Sequence, residues 1–420
     1  MAEDWSMNNF PSQPYDLIVF GATSFVGRIL CRHLWMRQME GLDFRWAVVG
    51  RSRQRLEELQ EELGLGKEAL PVHVVDAQDE EAMTAMVRAT RVVVSTVGPY
   101  ALYGSGLVAL CAREGRDYLD LSGEVPWIAR MLAYEPLAKQ SGARIVHCCG
   151  FDSIPSDLGV QYLQEQSKDL WQEYCVRVRM MVARIEGGFS GGTVASMLNV
   201  AREAWEQPEL RRLLANPYAL CPNPVGPRQP NAALVEKDNY TGQWTAPFVM
   251  SAINTRVVLR SHALQGNCWA DNFLYDEVML TGEGWAALAK ATAIRAALVS
   301  FFTASALAPT RKLLERYVVP KPGEGPSAQE QEDGGYLLWL RGHTASGRSI
   351  WVSVQGDRDP GYGSTGKMLG EAALCMAFDR PHEQLPGGFW TPSTAMGPLL
   401  RQRLQKHAGI QFTRMEAPAH

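Results

Sequence analysis

Over the first 150 residues, uninterrupted apolar runs alternate with segments in which apolar residues recur with helical spacing. The predicted strands are DLIVF (16–20), FRWAVVG (44–50), LPVHVVD (70–76), RVVVSTVG (91–98), DYLDL (117–121) and ARIVHCCG (143–150). The predicted helices lie between them at 28–39, 53–63, 80–88, 106–114 and 125–140. Strands that are apolar on both faces and separated by helices are typical of a parallel sheet with helices on both sides. The pattern therefore predicts an α/β domain with a doubly wound parallel sheet.

The pattern changes after residue 150. Helices are predicted at 151–166 and 191–205, a long loop at 216–247, and strands at 173–187, 257–266, 272–282, 335–344 and 348–357. Strands that follow one another without regular helical crossovers favour an antiparallel sheet, so we expect a second α+β domain whose sheet is mostly antiparallel. The expected divisions are a flexible leader at 1–14, the parallel-sheet domain at 15–150 and the second domain at 151–385.

One segment, residues 284–309, is strongly apolar and is interrupted only by Lys290 and Arg295. Its uncharged part at 296–308 is shorter than the roughly 20 residues that span a bilayer, so a transmembrane helix is the least favoured interpretation. A buried helix or a dimer-interface helix is the most favoured. A helix that contacts a membrane or lipid surface comes second, supported by the basic stretch RKLLERY that follows.

The composition describes a folded protein with little overall charge. Hydrophobic residues make up 46% of the chain and charged residues 20%, and the formal net charge is −4, which gives no reason to expect nucleic acid as a partner. The eight cysteines include no CxxC pair and no Cys/His cluster with metal-ligand spacing. We therefore expect reduced thiols, a cytoplasmic location and no bound metal. The polar, acidic N-terminus is not typical of a signal peptide.

The sequence GATSFVG follows the first predicted strand, where a dinucleotide-binding turn would lead into the first helix. Gly21 permits a tight turn, Gly27 lets the helix approach the strand, and the amides between them would point at a pyrophosphate. Ser24 stands where a third glycine is usual. It fits if its backbone avoids positive φ, and its hydroxyl would then offer an additional donor. The predicted cofactor-binding residues of this Rossmann-type turn are Gly21, Thr23, Ser24, Phe25, Val26 and Gly27.

The second strand ends in GRSR, so Arg51, Ser52 and Arg53 stand where an NAD-binding turn carries an acidic residue. Two guanidinium groups and a hydroxyl suit the 2′-phosphate of NADP(H), and NAD(H) is the less favoured cofactor. The alternative is a solvated basic start to the next helix, although cations at a helix N-terminus oppose the helix dipole.

Two further strand ends carry residues that are compatible with the same cofactor. Asp76 and Ala77 follow the third strand, near the expected adenine, although Asp76 also suits a helix cap. The residues after the fourth strand would run under the ribose and nicotinamide, because a Gly-Pro bend has little side-chain bulk. These residues are Thr96, Val97, Gly98 and Pro99.

Several motifs together resemble the saccharopine dehydrogenase-like oxidoreductases. They are GATSFVG, AVVGRSRQRLEEL, STVGPYALYGSGLVALCAREGRDYLDLSGE, HCCGFDSIPSDLG, KPGEGPSAQEQEDGG, DPGYGSTGKMLGEAALCMA and GGFWTPSTAMGPLLRQRL, which extend over nearly the whole chain. The resemblance implies an N-terminal NADP-binding domain and a second domain over its strand ends. It also implies a C-terminal helix within 386–420 that returns to the first domain. The branch that it resembles includes trans-acting enoyl reductases and lipid-droplet-associated homologues, and relatives commonly carry glycine at the position of Ser24.

Hydride transfer usually needs a proton donor beside the nicotinamide. Tyr100, Tyr103 and Glu124 are the candidate catalytic residues because they follow the fourth and fifth strands, where Asp120 and Ser122 also lie. Both tyrosines also suit packing between the domains, and Glu124 also suits a cap on the next helix.

Three other polar residues near strand ends favour structural interpretations. Asp152 and Ser153 are typical of caps on the helix that follows them. His147 lies within an apolar run, where a core histidine is the favoured interpretation.

These features predict an NADP(H)-dependent oxidoreductase that reduces a C=C, C=O or C=N bond of an apolar or lipid-type substrate. Two alternatives stay open: a catalytically silent nucleotide-binding scaffold on lipid surfaces, and an amino-acid dehydrogenase of the saccharopine type. The expected partners are a small-molecule or lipid-like substrate, a membrane or lipid surface contacted through 284–309, and a second copy of the chain in a homodimer.

Overall fold

The computed structural model describes residues 10–11, 14–66, 68–187, 191–306, 310 and 333–418 of the 420-residue chain. Nearly all of the predicted leader at 1–14 and the last three residues of the apolar segment, 307–309, lie outside the described residues. The described part contains two seven-stranded sheets, and one hydrophobic core extends through both of them.

The first sheet is entirely parallel. Its strands are β1 Tyr15–Phe20, β2 Trp46–Gly50, β3 Val72–Val74, β4 Thr90–Ser95, β5 Asp117–Asp120, β6 Arg144–Val146 and, from far along the chain, β13 Gly388–Trp390. Their order across the sheet is β13-β6-β5-β4-β1-β2-β3. Side chains on both faces of β1, β2 and β4 are buried, which explains why these strands are uninterrupted apolar runs in the sequence.

Helices connect the strands of this sheet and also build much of the rest of the chain. Next to the first sheet they are α1 Phe25–Met39, α2 Arg53–Glu62, α3 Glu80–Arg88, α4 Tyr100–Tyr103, α5 Ser105–Glu114, α6 Val125–Met131 and α7 Glu135–Ser141. The helices that follow are α8 Ile154–Trp171, α9 Gly191–Glu206, α10 Pro208–Ala215, α11 Ser251–Leu264, α12 Gly284–Ala306, α13 Thr365–Leu374, α14 Pro392–Ala395 and α15 Gly397–His407.

The second sheet is mixed and mostly antiparallel. Its strands are β7 Cys175–Glu186, β8 Glu236–Lys237, β9 Trp244–Pro247, β10 Leu274–Gly282, β11 Gly335–Thr344, β12 Ser349–Gly356 and β14 Ile410–Met415. They lie in the order β14-β12-β11-β7-β10-β9-β8, and β7 and β10 form the parallel pair. The predicted fold class, a doubly wound parallel sheet joined to an α+β region with a mostly antiparallel sheet, is confirmed.

One predicted strand is wrong: residues 257–266 belong to helix α11. Nearly every residue from Ile253 to His262 is buried, so this helix is surrounded by protein on all sides. A helix buried all round lacks the polar stripe that reveals helical periodicity, and a short run of apolar residues then resembles a buried strand.

Two smaller differences have local causes. The single helix predicted at 125–140 is divided into α6, a 3₁₀ turn at Leu132–Tyr134, and α7. Pro136 lies in the first turn of α7, where its missing N–H is tolerated. The loop predicted at 216–247 contains the short strands β8 and β9, which form one edge of the second sheet.

The C-terminal region meets the first sheet through a buried carboxylate. Glu371 of α13 lies 2.8 Å from His33 Nε2 and 2.9 Å from Arg37 Nε, both on α1, and 3.1 Å from Arg403 of α15. These contacts hold α1, α13 and α15 together. The helix α15 therefore lies close to the first sheet, while the predicted division of the chain into domains stays a prediction.

Helix α12 is unusually exposed for so apolar a segment. It is long and apolar enough to cross a membrane, yet only 11% of the residues tested within Gly284–Ser305 are buried. Trp285 is 86% exposed and Val299 60% exposed. The helix is thus not buried within this chain, and the dimer-interface and lipid-contact interpretations both stay open.

Candidate functional site

The turn between β1 and α1 has the backbone geometry that a bound pyrophosphate requires. Gly21 has φ +88°, and a Cβ added to it would lie 2.5 Å from Val97 Cγ2. A Cβ on Gly27 would lie 2.5 Å from the Gly21 carbonyl oxygen. Both glycines are therefore required for α1 to begin directly against the end of β1.

Ser24 fits this turn because its backbone is extended, with φ −66° and ψ 161°. Its Oγ accepts the Gly27 amide proton at 2.9 Å and caps α1. The same Oγ lies 2.9 Å from Thr96 Oγ1, which itself donates to the Gly21 carbonyl at 2.8 Å. Since Thr96 uses its only proton on Gly21, Ser24 donates to Thr96. The Ser24 proton is thus directed toward Thr96 within the turn, and a contact between Ser24 and a cofactor stays a prediction.

Three backbone amides stay open at the start of α1. In the part of the chain that the structure describes, the N–H groups of Thr23, Phe25 and Val26 donate to no protein acceptor, and all three residues are partly exposed. Open amides at the N-terminus of a helix form an anion-binding site that the helix dipole strengthens. The residues present therefore fit the pyrophosphate of a dinucleotide cofactor.

The basic group after β2 is divided between structure and solvent. Ser52 Oγ accepts the Arg55 amide proton at 3.4 Å and caps α2, while Arg53 lies 3.8 Å from Glu57 on the same helix. Arg51 is exposed and forms no ion pair with any described residue. Arg51 is therefore the guanidinium of this group whose charge is left for an external phosphate.

The end of β3 serves its own turn. Asp76 is exposed, and its Oδ1 accepts the Gln78 amide proton at 2.9 Å just before α3, which Asp79 caps. Ala77 is partly exposed between them. This bond supports the alternative that Asp76 is a structural residue, and its contact with an adenine stays a prediction.

The stretch after β4 presents little side-chain bulk to solvent. Thr96 is buried and bonded within the turn, whereas Gly98 is exposed and Val97 and Pro99 are partly exposed. The Gly98–Pro99 peptide is cis. A flat ring can approach Gly98 closely because no side chain stands there.

The two candidate tyrosines have different surroundings. Tyr100 is buried, and its hydroxyl donates to the Ser95 carbonyl at 3.1 Å and accepts the Leu121 amide proton at 3.2 Å. Burial raises the pKa of Tyr100 well above its ordinary value. This hydroxyl braces the ends of β4 and β5 against each other. Tyr103 is 48% exposed, and no described contact ties its hydroxyl to the strand ends.

Glu124 is buried and fully engaged. Its Oε1 accepts the Tyr100 amide proton at 2.7 Å and the Ser196 hydroxyl proton at 2.9 Å, and its Oε2 accepts the Ala101 amide proton at 3.0 Å. Burial raises the pKa of this carboxyl. Glu124 thus caps α4, whereas the sequence suggested a cap on α6, and it joins α4 to α9.

Asp120, at the end of β5, is paired with His147. Asp120 Oδ2 lies 2.7 Å from His147 Nδ1, and Oδ1 accepts the Ser122 and Cys148 amide protons at 3.0 and 3.3 Å. His147 is buried with its ring 5.0 Å from that of Trp127, as expected for a core histidine. Its Nε2 has no partner among the described residues, and His147 is one of the residues that line a cavity of about 20 Å³, enough for a single water molecule.

Asp152 is the polar residue whose setting the sequence did not reveal. Helix α8 begins after Ser153, and neither side chain makes a capping bond; Ser153 Oγ donates instead to Asn254 Oδ1 at 3.0 Å. Asp152 is partly exposed, and within the described ranges its carboxyl group makes no hydrogen bond or ion pair. Burial, followed by the nearby charge of Asp120, raises the pKa of Asp152 to about 7.

Residues from beyond the first six strands cover the strand ends. The Tyr362 ring lies 4.5 Å from that of Phe25 over the nucleotide turn. Ser196 of α9 reaches Glu124, and a Cβ added to Gly123 would lie 3.9 Å from Ile253 of α11. A cofactor across the strand ends would therefore lie between the parallel sheet and this cover.

Comparison with known proteins agrees with this geometry. Residues 17–146 match the family described as the saccharopine dehydrogenase NADP binding domain. The chain is 39% identical over 419 residues to a Mycobacterium tuberculosis protein named as a proposed trans-acting enoyl reductase. The alignment covers 96% of this chain and 98% of that protein. The trans-acting enoyl reductase of Mycobacterium bovis is 36% identical over 409 residues, covering 93% of this chain and 95% of its own.

Among solved structures, apo saccharopine dehydrogenase (L-Glu forming) from Saccharomyces cerevisiae aligns with 96% of this chain and 100% of its own, with a TM-score of 0.49 and 12% identity.

Proposed function

This chain belongs to the saccharopine dehydrogenase-like oxidoreductases, in the branch of the trans-acting enoyl reductases, and from that membership we propose that it is an NADPH-dependent enoyl reductase. Its substrate is a conjugated C=C bond on an apolar or lipid-type chain. The observation that carries the proposal is the β1–α1 turn. Amides at the N-terminus of α1 donate to no described acceptor there, and Arg51, after the next strand, pairs with no described residue. An anion site beside a cation suits NADPH better than NADH.

The bound cofactor supplies a hydride, and the chain's own residues hold and position the reactants. The amides of Thr23, Phe25 and Val26 would hold the pyrophosphate, and Arg51 would hold the adenosine 2′-phosphate. Gly98 leaves room for the flat ring. Tyr100 and Glu124 keep the ends of β4 and β5 in place, because their polar atoms are already bonded to the backbone.

Two features support an apolar substrate. Ile253 lies beside Gly123 and Asp152 at the strand ends, where it offers an apolar wall. Helix α9, which reaches the site through Ser196, also packs against the exposed apolar helix α12. An acyl chain that leaves the site along α9 would meet further apolar surface.

The test is to incubate the full chain with NADPH and matched enoyl thioester, ketone and imine substrates, and to follow oxidation of the cofactor and the mass of each product. We expect oxidation with the enoyl thioester and a saturated product. Binding of NADPH with no oxidation by any substrate would favour the catalytically silent scaffold. Turnover of the imine alone would favour an amino-acid dehydrogenase.

We also propose that α12 rests on a lipid surface and makes the cytoplasmic protein a peripheral membrane protein. The helix contains Lys290 and Arg295 but no acidic residue, and Trp285 stands at its start. Exposed apolar residues with cations among them suit an anionic lipid surface. A homodimer that buries α12 is the competing arrangement.

Vesicle flotation tests this second proposal. The wild type should float with vesicles that contain anionic lipid, and the double variant Val299→Glu/Phe302→Glu, which changes two exposed positions, should stay at the bottom. Sedimentation analysis of both proteins separates the alternatives. A wild-type dimer that the double variant turns into a monomer, without flotation of either protein, would replace the lipid surface with a second copy of the chain.

A further inference from the structure

Asp152 stands where three parts of the molecule meet. It follows β6 at the carboxyl edge of the parallel sheet, close to the residues after β5. A Cβ placed on Gly123 would lie 3.9 Å from Asp152 Cγ and 3.9 Å from Ile253 Cγ2. The backbone amide of its neighbour Phe151 donates to Thr365 Oγ1 of α13 at 3.0 Å. The Phe151 ring lies 4.8 Å from the ring of Tyr336 in the second sheet. The carboxyl group thus lies near the ends of β5 and β6, close to α11 and next to a residue that contacts the second sheet.

The buried carboxylates nearby all have partners. Asp120 pairs with His147, and Glu124 accepts three protons. Glu277 of β10 accepts protons from the Tyr275 hydroxyl at 2.6 Å and the Asn254 amide at 2.9 Å. Against these, Asp152 makes no hydrogen bond or ion pair in the described part of the chain. Asp152 is partly exposed, so its carboxyl group is held by no described partner and stays accessible to a ligand at the strand ends.

We propose that Asp152 is the proton donor of the enoyl reduction, an inference that rests on the proposed function. The reduced nicotinamide supplies a hydride to Cβ of the conjugated C=C bond, and the π electron pair moves to Cα. The Asp152 carboxyl O–H bond breaks, and its proton forms the new Cα–H bond. The products are the saturated acyl chain, the oxidised cofactor and the Asp152 carboxylate, which water then protonates again.

The surroundings of Asp152 support this role. Burial is the main cause of its raised pKa, and the Asp120 carboxylate at the end of β5 adds to it. The other titratable groups facing it are the Tyr100 phenol and the Cys148 thiol, whose pKa values the Asp152 charge raises. On the α11 side, the neutral Asn254 accepts the hydroxyl proton of the neighbouring Ser153 and donates to Glu277. With a pKa of about 7, Asp152 holds its proton for part of the population at neutral pH and exchanges it readily.

The test compares Asp152→Asn with Asp169→Asn, a control at an exposed position on α8. In Asp152→Asn we expect enoyl turnover to fall about 100- to 10,000-fold, the usual contribution of a positioned acid. NADPH affinity, measured by calorimetry, should change by less than about twofold, because Asp152 takes no part in the pyrophosphate or 2′-phosphate contacts. The control should match the wild type in both measurements.

Thermal unfolding gives a second readout that does not depend on turnover. The folded pKa is raised from 3.8 to about 7, so the group's contribution to stability is fully present below pH 4 and is lost as pH rises through 7. Asn cannot ionise. The Tm of Asp152→Asn relative to wild type should therefore increase between pH 5 and pH 8, whereas loss of a helix cap would lower Tm at every pH.

The outcomes separate the two proposals. If the wild type reduces the enoyl thioester and Asp152→Asn does so at a similar rate, Asp152 is not the donor, while the proposed function stands. If Asp152→Asn has a lower Tm at every pH, Asp152 is a structural residue. If the wild type reduces no enoyl thioester, the proposed function fails, and the role of Asp152 fails with it.

Discussion

The carboxyl edge of the parallel sheet has two halves, one at the ends of β1 and β2 and one at the ends of β5 and β6, and they are built in different ways. At β1 and β2, short local turns leave three amides and the Arg51 guanidinium without a partner among the described residues, so these groups are available to a ligand. At β5 and β6, buried carboxylates are held by partners from distant segments, as Glu124 is by Ser196, whereas the partly exposed Asp152 makes no hydrogen bond or ion pair with any described residue. The first half has the open amides and the cation of an anion site, and the second half is a scaffold around Asp152, the proposed proton donor. Substitutions in the first should change binding, and substitutions in the second should change stability or turnover.

Gly27→Ala should lower cofactor affinity more than the other substitutions near β1 and β2. A Cβ there would lie 2.5 Å from the Gly21 carbonyl and 2.8 Å from that of Ala22, so the turn must shift. Overpacking of this kind costs about 1–3 kcal/mol, and NADPH affinity in calorimetric titrations should fall about 10- to 100-fold. Gly106→Ala is the control, because nothing lies within 4 Å of its added Cβ. Unchanged affinity in Gly27→Ala would mean that the cofactor binds elsewhere.

Glu124→Gln should act on stability. The side-chain NH₂ group would face an amide or hydroxyl donor that the carboxylate now satisfies, which costs about 1–3 kcal/mol of unfolding free energy in urea. Ser196→Ala, which leaves both amide bonds to Glu124 in place, should cost less. If Glu124→Gln is as stable as the wild type but has no turnover, Glu124 takes part in catalysis, and its role is not structural alone.

Arg51→Ala should change cofactor preference. Loss of a charged hydrogen bond to the 2′-phosphate is worth about 1.5–3 kcal/mol, so the Kd for NADPH should rise about tenfold or more, while the Kd for NADH stays the same. Arg55→Ala, an exposed arginine one turn along α2, is the matched control. An equal loss of affinity for both cofactors would show that Arg51 does not read the 2′-phosphate.

Ser24→Ala should have the smallest effect, on stability alone. It removes the cap of α1 and the bond to Thr96, which should lower the free energy of unfolding by about 1 kcal/mol. Ser24→Gly should lower it by only a few tenths of a kcal/mol. NADPH affinity should change by less than about twofold in both variants, since the Ser24 proton points into the turn. A strong loss of affinity at unchanged unfolding free energy would show that this hydroxyl contacts the cofactor.

The same contrast explains what the sequence predicts well. The strands and the turn of the binding half follow from local patterns: apolar runs, two glycines and a basic strand end, all within residues 16–53. The surroundings of Asp152 depend on segments that are remote in sequence: Ile253 of α11 lies nearby, and the neighbouring Phe151 contacts Tyr336 of the second sheet. Helix α11 itself was predicted as a strand because it is buried all round. Only the tertiary structure shows that Glu124 accepts three hydrogen bonds whereas Asp152 accepts none from the described residues.

The most direct test of the account follows two isotopes through one turnover of the wild-type chain. With NADPH carrying deuterium at the transferred position, the saturated product in ordinary water should contain one deuterium at Cβ. With unlabelled NADPH in D₂O, the product should instead contain one deuterium at Cα, delivered through an exchangeable acid. A product without cofactor deuterium at Cβ, formed while NADPH is bound, would contradict the proposed reduction.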